Sequence, residues 1–246
     1  MPGTANPRAV VCVPTYNECE NLEPLLDALA EAIDPERDEV LVIDDDSPDG
    51  TGRLADRLAE TRPWLSVLHR RRKEGIGAAY LAGFPIALAT GAGLIVQMDC
   101  DFSHDPRDVP RLIEACADGA DVALGSRWVP GGGTVNWGLG RQVISRGGSL
   151  YARLVLGQRI RDLTGGFKCF RRDVLETIDL RRVTTRGYGF QIEITYRARR
   201  AGFTVIELPI TFVDRRVGQT KMSSGIVLEA MRQVPVLRLR ALRGRL

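Results

Sequence analysis

Two aspartates one residue apart, Asp99 and Asp101 in "QMDCDFSHDP" (97–106), are followed at once by Ser103, His104 and Asp105. Hard cations such as Mg²⁺ and Mn²⁺ take carboxylate oxygens and share the rest of their shell with water and substrate phosphates. On extended backbone alternate residues point the same way, so this spacing presents two carboxylates to one side. The same pattern alone also serves as a general base or as a solvated turn. Zinc needs several soft ligands, and Cys100 with His104 are too few. Asp105 ahead of Pro106 reads as a helix N-cap rather than a ligand.

A second acidic cluster, Asp44, Asp45, Asp46 and Asp49, requires a division of tasks, because so many carboxylates repel one another. Asp49 and Thr51 suit a turn and a helix cap. Asp45 suits a contact with a base or ribose. On the basic side, Arg215 and Lys221 flank Gly218 in "RRVGQTK", a composition fitted to holding phosphates, and Arg127 follows a strand end from which it can reach the same pocket.

These groups need a scaffold. "AVVCV" (9–13), "EVLVID" (39–44), "LSVLHR" (65–70), "LIVQMD" (94–99) and "ADVALGS" (120–126) are short apolar runs that read as buried strands. Between them lie segments with helical spacing, such as Leu22, Leu25, Leu26, Leu29 and Ile33. Apolar strands alternating with helices predict an α/β fold whose mainly parallel sheet is covered on both faces. In such sheets ligands bind beyond the carboxyl ends of the strands. "PTYNE", "DDDSPDG", "DCDFSHD" and "GSRW" each lie just past a strand, which points to one shared site. After residue 126 the rhythm fails. "WVPGGGTVNWGLGR" (128–141) reads as a mobile loop, residues 143–156 as an amphipathic helix, and "VIELPITFV" (205–213) as one more strand or a hairpin. The ending interleaves apolar residues with arginine. With no repeat or linker, the chain reads as a single domain over 1–246.

The 246 residues suffice for a sizeable core, and no apolar stretch is long enough to cross a bilayer. The first residues lack a signal-peptide pattern, so the expected location is cytoplasmic. Five cysteines without a C-x-x-C pair argue for reduced thiols. The formal charge of +3 conceals an asymmetry: residues 1–125 carry 11 basic and 23 acidic side chains, and residues 126–246 carry 23 and 8. Solvated helices are the plain explanation. The sharper one is that the second half faces something anionic. A nucleic-acid partner is not expected, because the arginines lack an aromatic platform or a reading helix.

Taken in order, "VPTYNE" (13–18), "IDDDSPDGT" (43–51), "GIGAAY" (75–80), "MDCDFSHDP" (98–106), "GSRW" (125–128), "TGGFKCF" (164–170), "GYGFQIE" (187–193) and "FVDRRVGQTK" (212–221) resemble the polyprenol-phosphate mannose synthases of glycosyltransferase family 2. The resemblance covers nearly the whole chain. It implies a nucleotide-binding fold of the GT-A type, to which this sequence's own pattern adds C-terminal amphipathic helices, and inverting transfer of mannose from GDP-mannose to a polyprenyl (dolichyl-type) phosphate. By it, Pro14, Tyr16, Glu18, Ile43 and Asp45 contact the guanosine, and Asp99, Cys100 and Asp101 lie along ribose and diphosphate. Asp101 binds Mg²⁺ or Mn²⁺ with Ser103 at the adjacent ligand position, where some relatives have Gln. Arg127, Arg215 and Lys221 meet the phosphates, and Asp99, Asp101 and Arg215 form the catalytic set. The acidic half, about 1–125, then carries nucleotide and metal, and the basic half, about 126–246, the acceptor. Relatives often carry C-terminal transmembrane helices. Here the expected partner is a membrane surface, met peripherally on its cytoplasmic face, directly or through an integral membrane protein. Two other readings are a family 2 enzyme making polyprenyl-phosphate glucose from UDP-glucose and a silent nucleotide-binding scaffold.

Overall fold

The computed structural model describes residues 7–185, 187–214, 224–244 and 246. Its strands are β1 (Ala9–Thr15), β2 (Glu39–Asp44), β3 (Leu65–His69), β4 (Leu94–Gln97), β5 (Val122–Ser126), β6 (Gly133–Val135), β7 (Lys168–Arg171), β8 (Val205–Pro209) and β9 (Thr211–Val213). Seven of them form one sheet in the order β3-β2-β1-β4-β7-β5-β8. All pairings in it are parallel except those of β7, which runs antiparallel to both β4 and β5. The strand order reverses beside β1, the arrangement that opens a crevice at the carboxyl ends of β1 and β4.

The helices are α1 (Cys19–Ala32), α2 (Thr51–Ala59), α3 (Ile76–Ala89), α4 (Val109–Ala117), α5 (Leu139–Leu156), α6 (Arg172–Thr177), α7 (Tyr188–Arg200) and α8 (Ser224–Leu242). Alternation along the strands sorts them onto two faces. Val11 and Val13 of β1 pack with Leu22 and Leu26 of α1, Ala55 of α2 and Leu112 of α4. Val10 and Cys12 of β1 pack with Tyr80 and Phe84 of α3, Val174 of α6 and Phe190 of α7. Ring contacts tie that second layer: Tyr80 stacks with Phe84 and Phe190 at centroid distances of 5.5 and 5.9 Å, worth about 0.5–1.5 kcal/mol each beyond area burial. A third cluster joins α5, α7 and α8 through Ala152, Leu156, Tyr196, Val234 and Leu237.

Two local expectations change, and one strand adds to them. Residues 205–213 are not a hairpin: β8 extends the main sheet beside β5, whereas β9 pairs in parallel with β6. The segment 128–141 contains β6 and the 8%-exposed Trp137, so it is anchored by packing rather than a free loop. Finally, "KCFR" is β7, which brings the basic half of the chain between two strands of the acidic half. Among the described residues, no helix is long and apolar enough to cross a membrane.

Candidate active site

A cavity of about 500 Å³ opens beyond the carboxyl ends of β1, β2, β4 and β5. At one end Pro14, Tyr16, Glu18, Asp45 and Lys73 line it. The β1–α1 turn is held by side chains from the start of α2 and the turn before it: Glu18 N–H donates to Thr51 Oγ1 at 3.0 Å, and Cys19 N–H to Asp49 Oδ2 at 3.1 Å. Asp49 also accepts from Thr51 N–H and Oγ1 at 3.0 and 2.6 Å, the turn-and-cap role its position suggests. Asp44 accepts from Ser47 N–H and Oγ and from Thr15 Oγ1. That leaves Asp45 facing the cavity and ion-paired with Arg70. Burial raises the Asp45 pKa above the ordinary aspartate value, and Arg70 opposes that rise without cancelling it. The Lys73 ammonium stands 3.8 Å from the centroid of the Tyr16 ring, a cation–π contact at the cavity wall.

Ile43 does not join this wall. It is fully buried, with its Cδ1 so near Gly83 of α3 that a Cβ there would lie 2.3 Å away. Strand alternation puts Ile43 on the same side as Leu41, so its side chain serves the α3 interface.

Asp99, Cys100 and Asp101 line the middle of the cavity. Phe102 has φ +58°, a left-handed conformation that costs a residue with Cβ and is found where the surroundings enforce it. The turn it makes lets Ser103 N–H donate to Asp101 Oδ1 at 3.1 Å. Ser103 itself is 1% exposed and does not line the cavity, so the contact it supplies here is the backbone bond that orients Asp101. Asp99 N–H donates to His104 Nδ1 at 3.1 Å, and the imidazole stacks on Phe167 with a centroid distance of 4.7 Å. Burial lowers the His104 pKa to about 4, which keeps the ring neutral and able to accept. Burial raises the Cys100 thiol well above its ordinary value, with Glu18 and the flanking aspartates acting in the same direction.

The far end is basic. Arg127 forms a two-pronged pair with Asp162, Nε and Nη2 each at 2.7 Å, and its backbone N–H donates to the same carboxylate at 3.0 Å. Burial alone would raise the Asp162 pKa, but Arg127 and Thr164 hold it below the ordinary value. Arg127 thus reaches the cavity, with much of its donor capacity turned to Asp162. Arg141 pairs with Asp214 at 2.6 Å and lies 4.0 Å from the Trp137 ring centroid. Lys168 of β7 is fully buried, and burial brings its pKa down to about 7 against the pull of Asp162 and Asp99. Asp162, Arg141, Lys168 and Gln191 were not singled out from sequence. The available signals were their places within or beside "TGGFKCF", "GYGFQIE" and the Gly-rich segment. Arg215 and Lys221 lie outside the described residues.

Among the described residues, no three His, Cys, Asp or Glu side chains converge on one point to cage a metal. What the chain offers is carboxylate oxygen at the end of β4. That donor set fits Mg²⁺ or Mn²⁺, which bind through one or two carboxylates plus substrate phosphates.

Over 91% of its length the chain is 50% identical to the undecaprenyl-phosphate mannosyltransferase of Micrococcus luteus, covering 91% of that protein. It is 49% identical over 95% of its length to the polyprenol monophosphomannose synthase of Mycolicibacterium smegmatis, covering 88% of it. Among solved structures, glucosyl-3-phosphoglycerate synthase of Mycobacterium tuberculosis, in complex with Mn²⁺, UDP and its glucosylated product, superposes with a TM-score of 0.66. The match covers 98% of this chain and 80% of that one at 21% identity, a likeness of fold. Residues 10–179 match glycosyl transferase family 2, the family to which this GT-A-like chain belongs.

Proposed function

We propose that the protein transfers mannose from GDP-mannose to a polyprenyl phosphate with inversion, releasing GDP. The observation that carries this is one continuous cavity with carboxylates at the end of β4 and arginines beyond β5. Two relatives that share about half of its residues are named an undecaprenyl-phosphate mannosyltransferase and a polyprenol monophosphomannose synthase. In this reading a phosphate oxygen of the acceptor attacks the anomeric carbon while the bond from that carbon to the GDP oxygen breaks. GDP leaves with the electron pair. An acceptor phosphate is already largely dianionic, since its second pKa is about 6, so alignment and charge stabilisation matter more than a strong base.

Pro14, Tyr16, Glu18 and Asp45 hold the nucleoside, Asp99 orients the sugar or ribose, and the Cys100 backbone tracks the diphosphate. Asp101, oriented by Ser103 N–H, would hold Mg²⁺ or Mn²⁺, which when bound would supply Lewis-acid stabilisation of the departing diphosphate. Arg127, fixed by Asp162, and Arg141 face the acceptor phosphate, while Arg215 and Lys221, outside the described residues, are assigned to the donor phosphates by the family resemblance. The chain works as one catalytic unit, the acidic half supplying the nucleoside and metal contacts and the basic half the phosphate and acceptor contacts.

The protein meets the cytoplasmic face of a membrane peripherally. Leu139, Val143 and Leu154 of α5 are 80%, 70% and 74% exposed, and Leu239 and Leu242 of α8 are also exposed. Apolar side chains interleaved with arginines suit an anionic interface. The transfer test is incubation of the purified protein with polyprenyl phosphate, Mg²⁺ or Mn²⁺, and either GDP-mannose or UDP-glucose. Labelled mannose should enter the lipid fraction and EDTA should stop it; transfer only from UDP-glucose would overturn the assignment. Flotation with anionic liposomes tests direct contact, and absence of binding would leave a membrane partner as the route.

A further inference from the structure

Gln191 lies in the first turns of α7 and lines the cavity, although it is only 3% exposed. Behind it, Lys168 Nζ donates to Gln191 Oε1 at 2.6 Å and to the Gln191 carbonyl at 3.3 Å. With the Lys168 amine as donor and the amide oxygen as acceptor, the oxygen end of the amide is the one Lys168 holds. The Nε2 end is thereby turned the other way. Gly166 shows what it faces: a Cβ there would lie 3.5 Å from Gln191 Nε2, 3.6 Å from His104 Cε1 and 3.9 Å from Asp99 Oδ2. Bare backbone at this position leaves an amide donor and a carboxylate acceptor bordering the same patch of cavity floor.

That patch lies between the β4 carboxylates and the arginines, where the transferred group must sit. Its chemistry suits hydroxyls, each of which both donates and accepts. A phosphate would meet the Asp99 carboxylate there. We propose that Gln191 recognises the hexose of the donor, its Nε2–H donating to a sugar hydroxyl, with Lys168 as the positioning residue that fixes the amide. The assignment rests on the sugar-transfer reading above and adds to it the residue that reads the sugar.

The test is equilibrium binding of GDP and of GDP-mannose, each with Mg²⁺, to the wild type and to Gln191→Glu. This change keeps an acceptor for Lys168 and replaces the N–H donor with oxygen. GDP-mannose affinity should fall about tenfold while GDP affinity stays within about twofold. Lys168→Met should show the same sugar-selective loss, which a general structural defect would not. If either variant fails to fold, Gln191→Met, of similar length and lacking the donor, supplies the comparison. Equal losses for both ligands, or none, overturn the assignment. Selective loss in a protein that transfers no mannose would fell the transfer reading and leave Gln191 as the sugar contact. Active transfer with unchanged binding by the Gln191 variants would do the reverse.

Discussion

Asp162→Asn removes one charge from a pair that has almost no access to water: Asp162 is 0% and the Arg127 side chain 8% exposed. The wild-type carboxylate accepts two guanidinium hydrogen bonds at 2.7 Å and one from the Arg127 backbone at 3.0 Å. Breaking a buried ion pair costs about 3–5 kcal/mol, and the carbonyl oxygen that Asn retains recovers about 1 kcal/mol through the hydrogen bond it still accepts. The expected net loss is about 3 kcal/mol, a fall in Tm of about 6–12 °C for a chain of this size. Differential scanning calorimetry at pH 7 measures it. The pH dependence follows from the lowered carboxyl pKa in the fold. Stability from such a group is present above the unfolded aspartate pKa of about 4 and is lost as pH falls through the lower folded value. The gap between wild type and variant should therefore be level from about pH 5 to 8 and narrow in more acidic solution. A fall in Tm below about 2 °C, or a gap as wide at pH 3 as at pH 7, would refute the view that this pair anchors Arg127.

Asp101→Asn keeps an acceptor for Ser103 N–H and removes the charge; transfer should drop about 100-fold or more with little change in Tm, as a transfer assay with Mn²⁺ titration would show. In Gly132→Ala the new Cβ would lie 2.5 Å from the Ser126 carbonyl oxygen and 3.1 Å from the Arg127 carbonyl carbon. The backbone must shift there, at about 1–3 kcal/mol, and steady-state kinetics should show a raised KM for the polyprenyl phosphate with the donor KM little changed. Lys168, with a pKa of about 7 in the fold and about 10.4 unfolded, binds fewer protons folded than unfolded between those values. Wild-type stability should consequently rise relative to Lys168→Met as pH increases from about 7 to about 10, and a level difference in Tm across that range would contradict the burial argument.

The strands of the nucleotide half were legible because parallel strands covered on both faces read as unbroken apolar runs; "EVLVID" coincides with β2 residue for residue. Local caps were legible too: Asp105 accepts from Arg107 N–H at 3.0 Å, as an aspartate before proline suggests. What was hidden is either short or distant. β7 has four residues, too few for a periodic signal, and β6 and β9 have three each. Arg127 was visible as a basic residue past a strand, but its partner is 35 residues away in sequence, and charge alone does not say which acid it meets. Ile43 adjoins a chemical motif yet follows the two-residue period of its strand, which the motif reading overlooked. Ser103 likewise reads as a ligand by position, whereas local turn geometry gives its backbone the nearer task.

β7 also acts as a ruler. Gln97 of β4 and Leu124 of β5 both pair with Lys168, so one hydrogen-bonded strand separates them by two interstrand spacings, about 9.6 Å. Asp99 lies two residues beyond Gln97 and Arg127 three beyond Leu124. The backbone ladders therefore set the spacing of the two strand ends, and the Asp162 pair sets where the guanidinium stands beyond one of them. Sequence drift in α5 or α8, which pair with neither strand, leaves that spacing between the strand ends unchanged.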